Sequence, residues 1–279
     1  MSRPDLLTLE QMQQVYLELL QEFDTLCKEN NLRYDLAGGS LLGAVRHNGF
    51  IPWDNDIDVC MPRPDYQRLL DLKSNGALKM EKARDVISHQ DQSLPRHFGR
   101  YIRKDIRRIS DMAEDWDCPY IGMDIFPVDG LPSGKLAFRL QCFFVKQLRR
   151  LLLTSVEKSG TSRRGVLAAK IKNLYRPILK KIGPFRIASW LEKICMCCSY
   201  GESQYVGAIT GMYGLRERWL KEDMLPQIQL PFEHLQVCCY SNYHIYLSNL
   251  YGDYMKLPPE EQQVPHCDEG YRVKEEDIK

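Results

Sequence analysis

The part of this 279-residue chain that most constrains its fold is the stretch of residues 32–61. An apolar run ends at Gly38-Gly39-Ser40, a short helical pattern follows, and a second apolar run starts with Asp54, Asp56 and Asp58 at alternate positions. Alternate residues of a strand point to the same face, so Asp56 and Asp58 should project together from a strand that begins near Asp56. A strand, a glycine turn, a helix and an acidic strand in this order predict a small mixed sheet with packed helices, an α+β fold.

The same stretch indicates a site for a metal and a phosphate. Neighbouring carboxylates repel each other unless a cation offsets their charge, and hard oxygen ligands suit Mg²⁺ or Mn²⁺. Gly38 and Gly39 let the backbone approach a ligand closely, and Ser40 is expected to begin a helix whose free N–H groups favour an anion. Asp124, inside the apolar run of residues 121–128, is the candidate for a further carboxylate from a later strand.

Each of these features also has a simpler structural explanation. A Gly-Gly-Ser sequence is often only a turn, and Asp54 and Asp56 are also compatible with a solvated loop. Asp124 is equally compatible with a cap or a salt bridge. It is their combination, in this order along the chain, that favours a catalytic site.

The order of strand, Gly-Gly-Ser, helix and Asp-x-Asp resembles that of the nucleotidyltransferase superfamily. More specifically, the chain resembles the LicD-type transferases in three blocks, which are residues 38–58, residues 123–130 and residues 251–259. The resemblance covers about residues 10–266 and extends to the catalytic domains of fukutin and fukutin-related protein. It implies a nucleotidyltransferase-like sheet.

The resemblance also implies a reaction. LicD-type enzymes take CDP-choline or another CDP-alcohol and transfer the phospho-alcohol to a hydroxyl of a glycan precursor, with release of CMP. The acceptor belongs to lipopolysaccharide, teichoic acid or capsule and is often lipid-linked. We therefore expect a Mg²⁺-dependent phosphocholine transferase whose partners are a CDP-alcohol and a glycan acceptor, and no nucleic acid.

This interpretation assigns roles to individual residues. The metal is expected on Asp54, Asp56, Asp58 and Asp124, the last of which either completes the site or takes the proton of the acceptor. The donor phosphates are expected on Gly38, Gly39, Ser40, Arg46, Arg100, Arg103 and Lys104. Aromatic faces bind quaternary ammonium groups, so the candidates for a choline box are Trp53, Tyr251 and Tyr254. The alternative for these three rings is ordinary packing in the core or at its rim.

Charge divides the chain, although its net charge is only +1. Residues 131–200 contain fifteen basic and two acidic residues, a net charge of +13. This predicts a basic helical insertion at residues 135–200, between a catalytic core at residues 1–134 and a part at residues 201–279 that completes the catalytic domain. The insertion is suited to an anionic membrane or a polyanionic glycan-lipid, and a merely solvated basic face is the alternative.

The N-terminal sequence and the cysteines predict the compartment. The start of the chain has no apolar segment of the kind found in a secretory signal, and no apolar run is long enough to span a bilayer. The ten cysteines are therefore expected to be reduced thiols and not a disulfide framework. We expect a cytoplasmic protein, either free or at the inner face of the membrane. Their spacing around residues 195–198 and 238–239 is not that of a zinc site.

Two other functions fit parts of this pattern. A conventional nucleotidyltransferase that uses an NTP would share the glycines and the acids, but it would not explain the block at residues 251–259. A catalytically silent module that binds a polyanionic glycan would use the basic insertion, but it would have no need of the acids.

Overall fold

The computed structural model describes residues 5–109, 118–156, 166–264 and 269–273, with the side chains of residues 166–173 not described. Within these ranges the chain has an α+β fold, which confirms the predicted fold class. The helices are α1 (Leu9–Glu29), α2 (Gly38–His47), α3 (Arg63–Ser74), α4 (Lys135–Val156), α5 (Val166–Ile182), α6 (Pro184–Cys195) and α7 (Tyr243–Tyr251). The strands are β1 (Asp35–Leu36), β2 (Asp58–Pro62), β3 (Arg84–Ile87), β4 (Gly99–Ile109), β5 (Tyr120–Leu131), β6 (Tyr205–Gly207), β7 (Trp219–Leu220), β8 (Gln227–Phe232), β9 (Leu235–Tyr240) and β10 (Glu269–Arg272).

The main sheet is mixed and is built around β5. Its strand order is β1-β2-β5-β4-β10, and the described pairing of β2 with β5 is parallel while the neighbouring pairs are antiparallel. Strand β3 pairs with the first half of β4, and β6 pairs with the end of β5. Strands β8 and β9 form a separate hairpin. The parallel pair places the start of β2 beside Asp124, inside β5.

Helix α1 covers one face of this sheet. Its N-terminus has a capping box, because the Thr8 hydroxyl accepts from the Gln11 N–H at 3.3 Å and the Gln11 side chain accepts from the Thr8 N–H at 2.8 Å. Its apolar side joins the main core, where the ring of Phe23 lies 5.7 Å from that of Tyr101 on β4.

Two boundaries near the acids differ from the prediction. Helix α2 begins at Gly38 and not at Ser40, and its N-cap is Ala37, which makes no side-chain capping bond. Strand β2 begins at Asp58, so Asp54 and Asp56 lie on the segment before it. The Asp54 N–H donates to the Ile51 carbonyl at 2.8 Å and the Asn55 N–H to the Asp54 carboxylate at 3.0 Å. These local bonds compete with strand pairing, so the chain turns at residues 51–55 and β2 begins only after this turn.

The basic segment is helical, as predicted, and packs on itself. Helices α4, α5 and α6 share a second apolar cluster that includes Phe138, Leu152 and Leu191. Gly183 separates α5 from α6. The division of the chain into three segments stays a prediction.

The described cysteines are free thiols, and six of the nine are buried. Within the described ranges, no helix is long and apolar enough to cross a membrane. The cytoplasmic location stays a prediction.

We predict that Gly43→Ala destabilises the protein by about 1–3 kcal/mol, because an added methyl group must displace backbone. A Cβ at Gly43 would lie 2.4 Å from the carbonyl oxygen of Gly49, at the start of the turn that leads to the acids. Urea denaturation followed by tryptophan fluorescence measures the loss. The matched control is Gly134→Ala, since a Cβ at Gly134 meets nothing within 4 Å. Equal stability of the two variants would contradict the close approach of helix and turn.

A second prediction concerns Asp35 on β1. This residue is buried, and its Oδ1 atom has no hydrogen-bond partner in the part of the chain that the structure describes. Burial raises the pKa of Asp35 from 3.8 to about 7. A raised pKa in the folded state means that the stability contribution is fully present below pH 3.8 and is lost as the pH rises through about 7.

We therefore expect the free energy of unfolding of Asp35→Asn to fall less over this pH range than that of the wild type, by up to about 4 kcal/mol. Urea denaturation at a series of pH values measures the difference. The control Asp71→Asn, an exposed acid on α3, should follow the wild type. Parallel pH profiles for Asp35→Asn and the wild type would show that Asp35 is not buried as described.

Candidate active site

Three neighbouring strands bring two acids and one arginine into a single row. Asp58 on β2 is the register partner of Asp124 on β5, and Asp124 is in turn the partner of Arg100 on β4. Directly paired residues of a sheet project from the same face, so the three side chains lie side by side. The Arg100 Nε atom lies 2.5 Å from the Asp124 Oδ1 atom. The predicted third carboxylate is thus next to the first acidic block.

The turn before β2 brings Asp54 and Asp56 to the same place. The Gln13 side chain of α1 donates to the Asp54 carbonyl at 2.8 Å, which fixes the turn against the helix. The Asp54 and Asp56 side chains are in hydrogen-bonding contact, and both charges act on Asp58. Sequence reasoning missed Gln13, because a single glutamine in a helix carries no signal of this role.

These carboxylates are crowded and repel one another. Burial, with the charge of Asp56, raises the pKa of Asp54 to about 7. Burial also raises the pKa of Asp58 well above its ordinary value, and the charges of Asp56, Asp124 and Asp54 raise it further while Arg100 opposes them. The site is therefore a place where the protein favours a bound cation or proton.

The start of α2 closes tightly over the acids. A Cβ at Gly39 would lie 3.1 Å from the Asp54 Oδ2 atom, and one at Gly38 would lie 3.7 Å from the Tyr251 hydroxyl and 4.0 Å from the Asp58 Oδ2 atom. Gly38 has a φ of 51°, which glycine adopts without strain. The glycine pair is thus needed because side chains would fill the space beside the acids.

Ser40 has a positioning contact within this arrangement. Its hydroxyl accepts from the Asp58 N–H at 2.9 Å, and the Ala37 N–H donates to the Asp58 carbonyl at 3.0 Å. Both backbone polar groups of Asp58 are therefore tied to α2. The expectation that Ser40 binds a donor phosphate stays a prediction.

Three tyrosines from the C-terminal part of the chain lie near the start of α2. The Gly38 N–H donates to the buried Tyr246 hydroxyl at 3.1 Å, and the Tyr251 ring stands edge-on to that of Tyr213, with 5.3 Å between centroids. Burial raises the pKa of Tyr251, with contributions from Tyr213 and the Asp58 charge. Sequence reasoning missed Tyr213 and Tyr246, because neither lies in a recognisable acidic or glycine motif.

The structure does not bring all the predicted phosphate ligands to this row. Arg46 donates to the Tyr254 carbonyl at 2.9 Å and so holds the C-terminal block. Arg103 pairs with Glu18 of α1 and with Asp105. Residues three apart on a strand point to opposite faces, so Arg103 projects from the face opposite to that of Arg100. A donor-binding role for Arg103 stays a prediction. Lys104 lies 3.1 Å from Asp85 on β3, also away from the row.

The three rings of the predicted choline box have different neighbours. Trp53 packs edge-on to His47 at 6.5 Å, Tyr254 contacts His244, and Tyr251 contacts Tyr213. Of the three, Tyr251 is the one that the close contact with Gly38 places beside the acids. The choline box stays a prediction, with Tyr251 as its best-placed member.

The residues of the site fit a hard cation in their chemistry. Among the described residues, no three Asp, Glu, His or Cys side chains are already arranged to hold a metal ion, since Asp124 is paired with Arg100 and Asp54 with its neighbours. The donors are nevertheless all oxygens, and they are crowded enough to repel. The buried Oδ1 atom of Asn55, between Asp54 and Asp56, has no hydrogen-bond partner in the described ranges. Mg²⁺ or Mn²⁺ suits such a set.

A strand-helix-strand unit with paired acids beside a helix N-terminus defines a nucleotidyltransferase-type domain. The model of the nucleotidyltransferase domain of the LicD, FKTN and FKRP family matches residues 31–129. The lipopolysaccharide cholinephosphotransferase LicD of Haemophilus influenzae is 35% identical over 272 residues, which cover 93% of this chain and 96% of that protein. The chain therefore belongs to the LicD family.

A shorter match connects the chain to animal proteins. The human and mouse ribitol 5-phosphate transferase FKRP is 64% identical over 28 residues, which are 10% of this chain and 6% of that protein. A match of this length reports a shared motif and says little about the rest of either chain.

We predict that Asp58→Asn raises the free energy of unfolding of the metal-free protein by about 1 kcal/mol or more, because it removes one of several crowded negative charges. Urea denaturation in EDTA measures the gain, and it should shrink when Mg²⁺ is added, since the wild type is then stabilised by the ion. The control Asp71→Asn should change stability little in either buffer. A destabilised Asp58→Asn protein in EDTA would mean that the carboxylates do not repel as described.

Proposed function

We propose that this chain transfers phosphocholine, or a related phospho-alcohol, from a CDP-activated donor to a hydroxyl of a glycan precursor and releases CMP. The observation that carries the proposal is the in-register row of Asp58, Asp124 and Arg100 beside the Gly38-Gly39 turn, in a chain related over almost its whole length to a lipopolysaccharide cholinephosphotransferase. The acceptor we propose is a glycan displayed on a lipid carrier.

The proposed reaction is an in-line displacement at phosphorus. The acceptor oxygen forms a bond to the phosphorus that carries the alcohol, and the bond from this phosphorus to the oxygen shared with the CMP phosphate breaks. The electron pair of that bond leaves with CMP, and the acceptor proton passes to a carboxylate. The carboxylates of the site would hold Mg²⁺ or Mn²⁺, whose positive charge would offset the charge of the donor phosphates.

We assign the steps of this reaction to individual residues. Asp54, Asp56 and Asp58 would hold the cation, and Asp124 would complete the set or accept the proton from the hydroxyl. Arg100, whose pair with Asp124 is half-buried, is close enough to the row to stabilise charge on the leaving CMP. The Gly38-Gly39 turn would let the diphosphate approach the backbone at the start of α2.

We predict metal-dependent CMP release from CDP-choline that falls at least about a hundredfold in Asp56→Asn, because charge stabilisation carries most phosphoryl-transfer catalysis. The assay measures CMP from CDP-choline and from CDP-ribitol, with Mg²⁺ or EDTA, and water replaces the acceptor in a slow side reaction. The control Asp71→Asn should retain wild-type turnover.

The outcomes separate the candidate functions. CMP from CDP-ribitol alone would keep the mechanism and change the donor. Near-normal turnover of Asp56→Asn would remove the acids from the mechanism. Pyrophosphate release from an NTP, with no binding of either CDP-alcohol by calorimetry, would favour a conventional nucleotidyltransferase. Binding of a polyanionic glycan without any turnover would favour a silent binding module.

A further inference from the structure

Helix α4 is apolar on two opposite sides. One side carries buried residues such as Phe138, Cys142 and Val145 into the apolar cluster of the insertion. The other side carries a stripe of exposed side chains, defined here as the α4 outer face: Leu136 (73% exposed), Leu140 (51%), Phe143 (54%) and Phe144 (51%). Their spacing of four, seven and eight residues puts them on one face of the helix. Large apolar side chains grouped in this way mark an interaction surface.

Basic side chains flank this face. Lys135, Arg139, Lys146 and Arg150 are exposed and recur at helical spacing along one edge of the stripe, and α4 contains no acidic residue. On the neighbouring helix α5, Leu174 and Ile178 are also exposed, at 82% and 62%, and that helix contains no acid either. The surface therefore combines apolar side chains with uncompensated positive charge.

We propose that the α4 outer face and its basic edge dock on the surface of an anionic membrane. An apolar stripe with Phe and Leu beside lysines and arginines is the composition of helices that lie in a lipid interface, where the basic residues meet the headgroups. A second copy of the chain fits less well, since it would bring the same positive charges against this edge. The charged residues of α4 are compatible with lying on the membrane and not with crossing it.

The opposite side of helix α4 is connected to the acidic row by a short path. The Arg149 side chain of α4 donates to the Gly211 carbonyl at 2.9 Å. Two residues later, Tyr213 stands against Tyr251, whose hydroxyl is beside Gly38. Exposed Met212 and Leu215 flank Tyr213, at 77% and 55%. Docking through α4 would hold the site near a lipid surface, where a lipid-linked acceptor would be found; this consequence rests on the proposed function, whereas the docking does not.

The test is sedimentation of the full chain with vesicles of phosphatidylcholine, with or without phosphatidylglycerol. We expect binding to the anionic vesicles alone. Leu140→Ser and Phe143→Ser should each weaken it about tenfold, because each removes one buried apolar side chain from the interface. Lys146→Gln should weaken it about fivefold and make it less sensitive to salt. The matched control is Leu6→Ser, an exposed leucine at the other end of the chain that should leave binding unchanged.

Three results would overturn the proposal. They are wild-type protein that binds neither vesicle, stripe variants that bind like the wild type, and a wild-type dimer that Leu140→Ser converts to a monomer in light scattering. The last result would identify a second copy as the occupant. CMP release without vesicles should be unchanged in the stripe variants, so a failure of the docking proposal and a failure of the proposed function give different results.

Discussion

Repulsion among carboxylates is the constraint on which the rest of this structure depends. Asp54, Asp56, Asp58 and Asp124 converge at one end of the sheet, and Arg100 is the cation that the sheet itself places in their row. One guanidinium cannot balance four carboxylates, so the folded chain carries an excess of negative charge at a place where burial makes charge costly. Such an arrangement persists only when the surrounding structure holds it, and it is the kind of compromise between stability and activity that enzymes make.

Three connections supply that support. Helix α2 holds both backbone polar groups of Asp58 through Ser40 and Ala37, while Gln13 of α1 holds the turn at Asp54. From the other end of the chain, Tyr246 accepts from the first N–H of α2. The Tyr251 hydroxyl, in the block of residues 251–259, lies beside Gly38 as well, which explains how a resemblance in this block can accompany one at residues 38–58.

The local pattern predicted the fold class and the grouping of Asp124 with the earlier acids, because both follow from the order of motifs along the chain. It failed where the outcome depends on competing hydrogen bonds or on the face of a strand. Asp56 lies outside β2 because the segment before the strand forms local hydrogen bonds, such as that from the Asn55 N–H to the Asp54 carboxylate. Arg103 points toward α1 because it lies three residues after Arg100 and therefore projects from the other face of β4. Neither Tyr213 nor Tyr246 could be found, since only the tertiary fold brings them to Gly38 and Tyr251.

The register between β2 and β5 decides whether the site exists. A shift by one residue would pair Asp58 with a neighbour of Asp124 and turn one carboxylate to the other face of the sheet. An ion pair at the C-terminal ends of the two strands opposes such a shift. Arg63, directly after β2, makes a buried, bidentate ion pair with Asp129 of β5, with N···O distances of 2.6 and 2.8 Å. The same guanidinium reaches Glu192 of α6 at 2.9 Å. Loss of one partner from such a pair would leave a buried charge unpaired, which is strongly destabilising. Through Arg63, the basic insertion is therefore tied to the strand register that aligns Asp58 with Asp124.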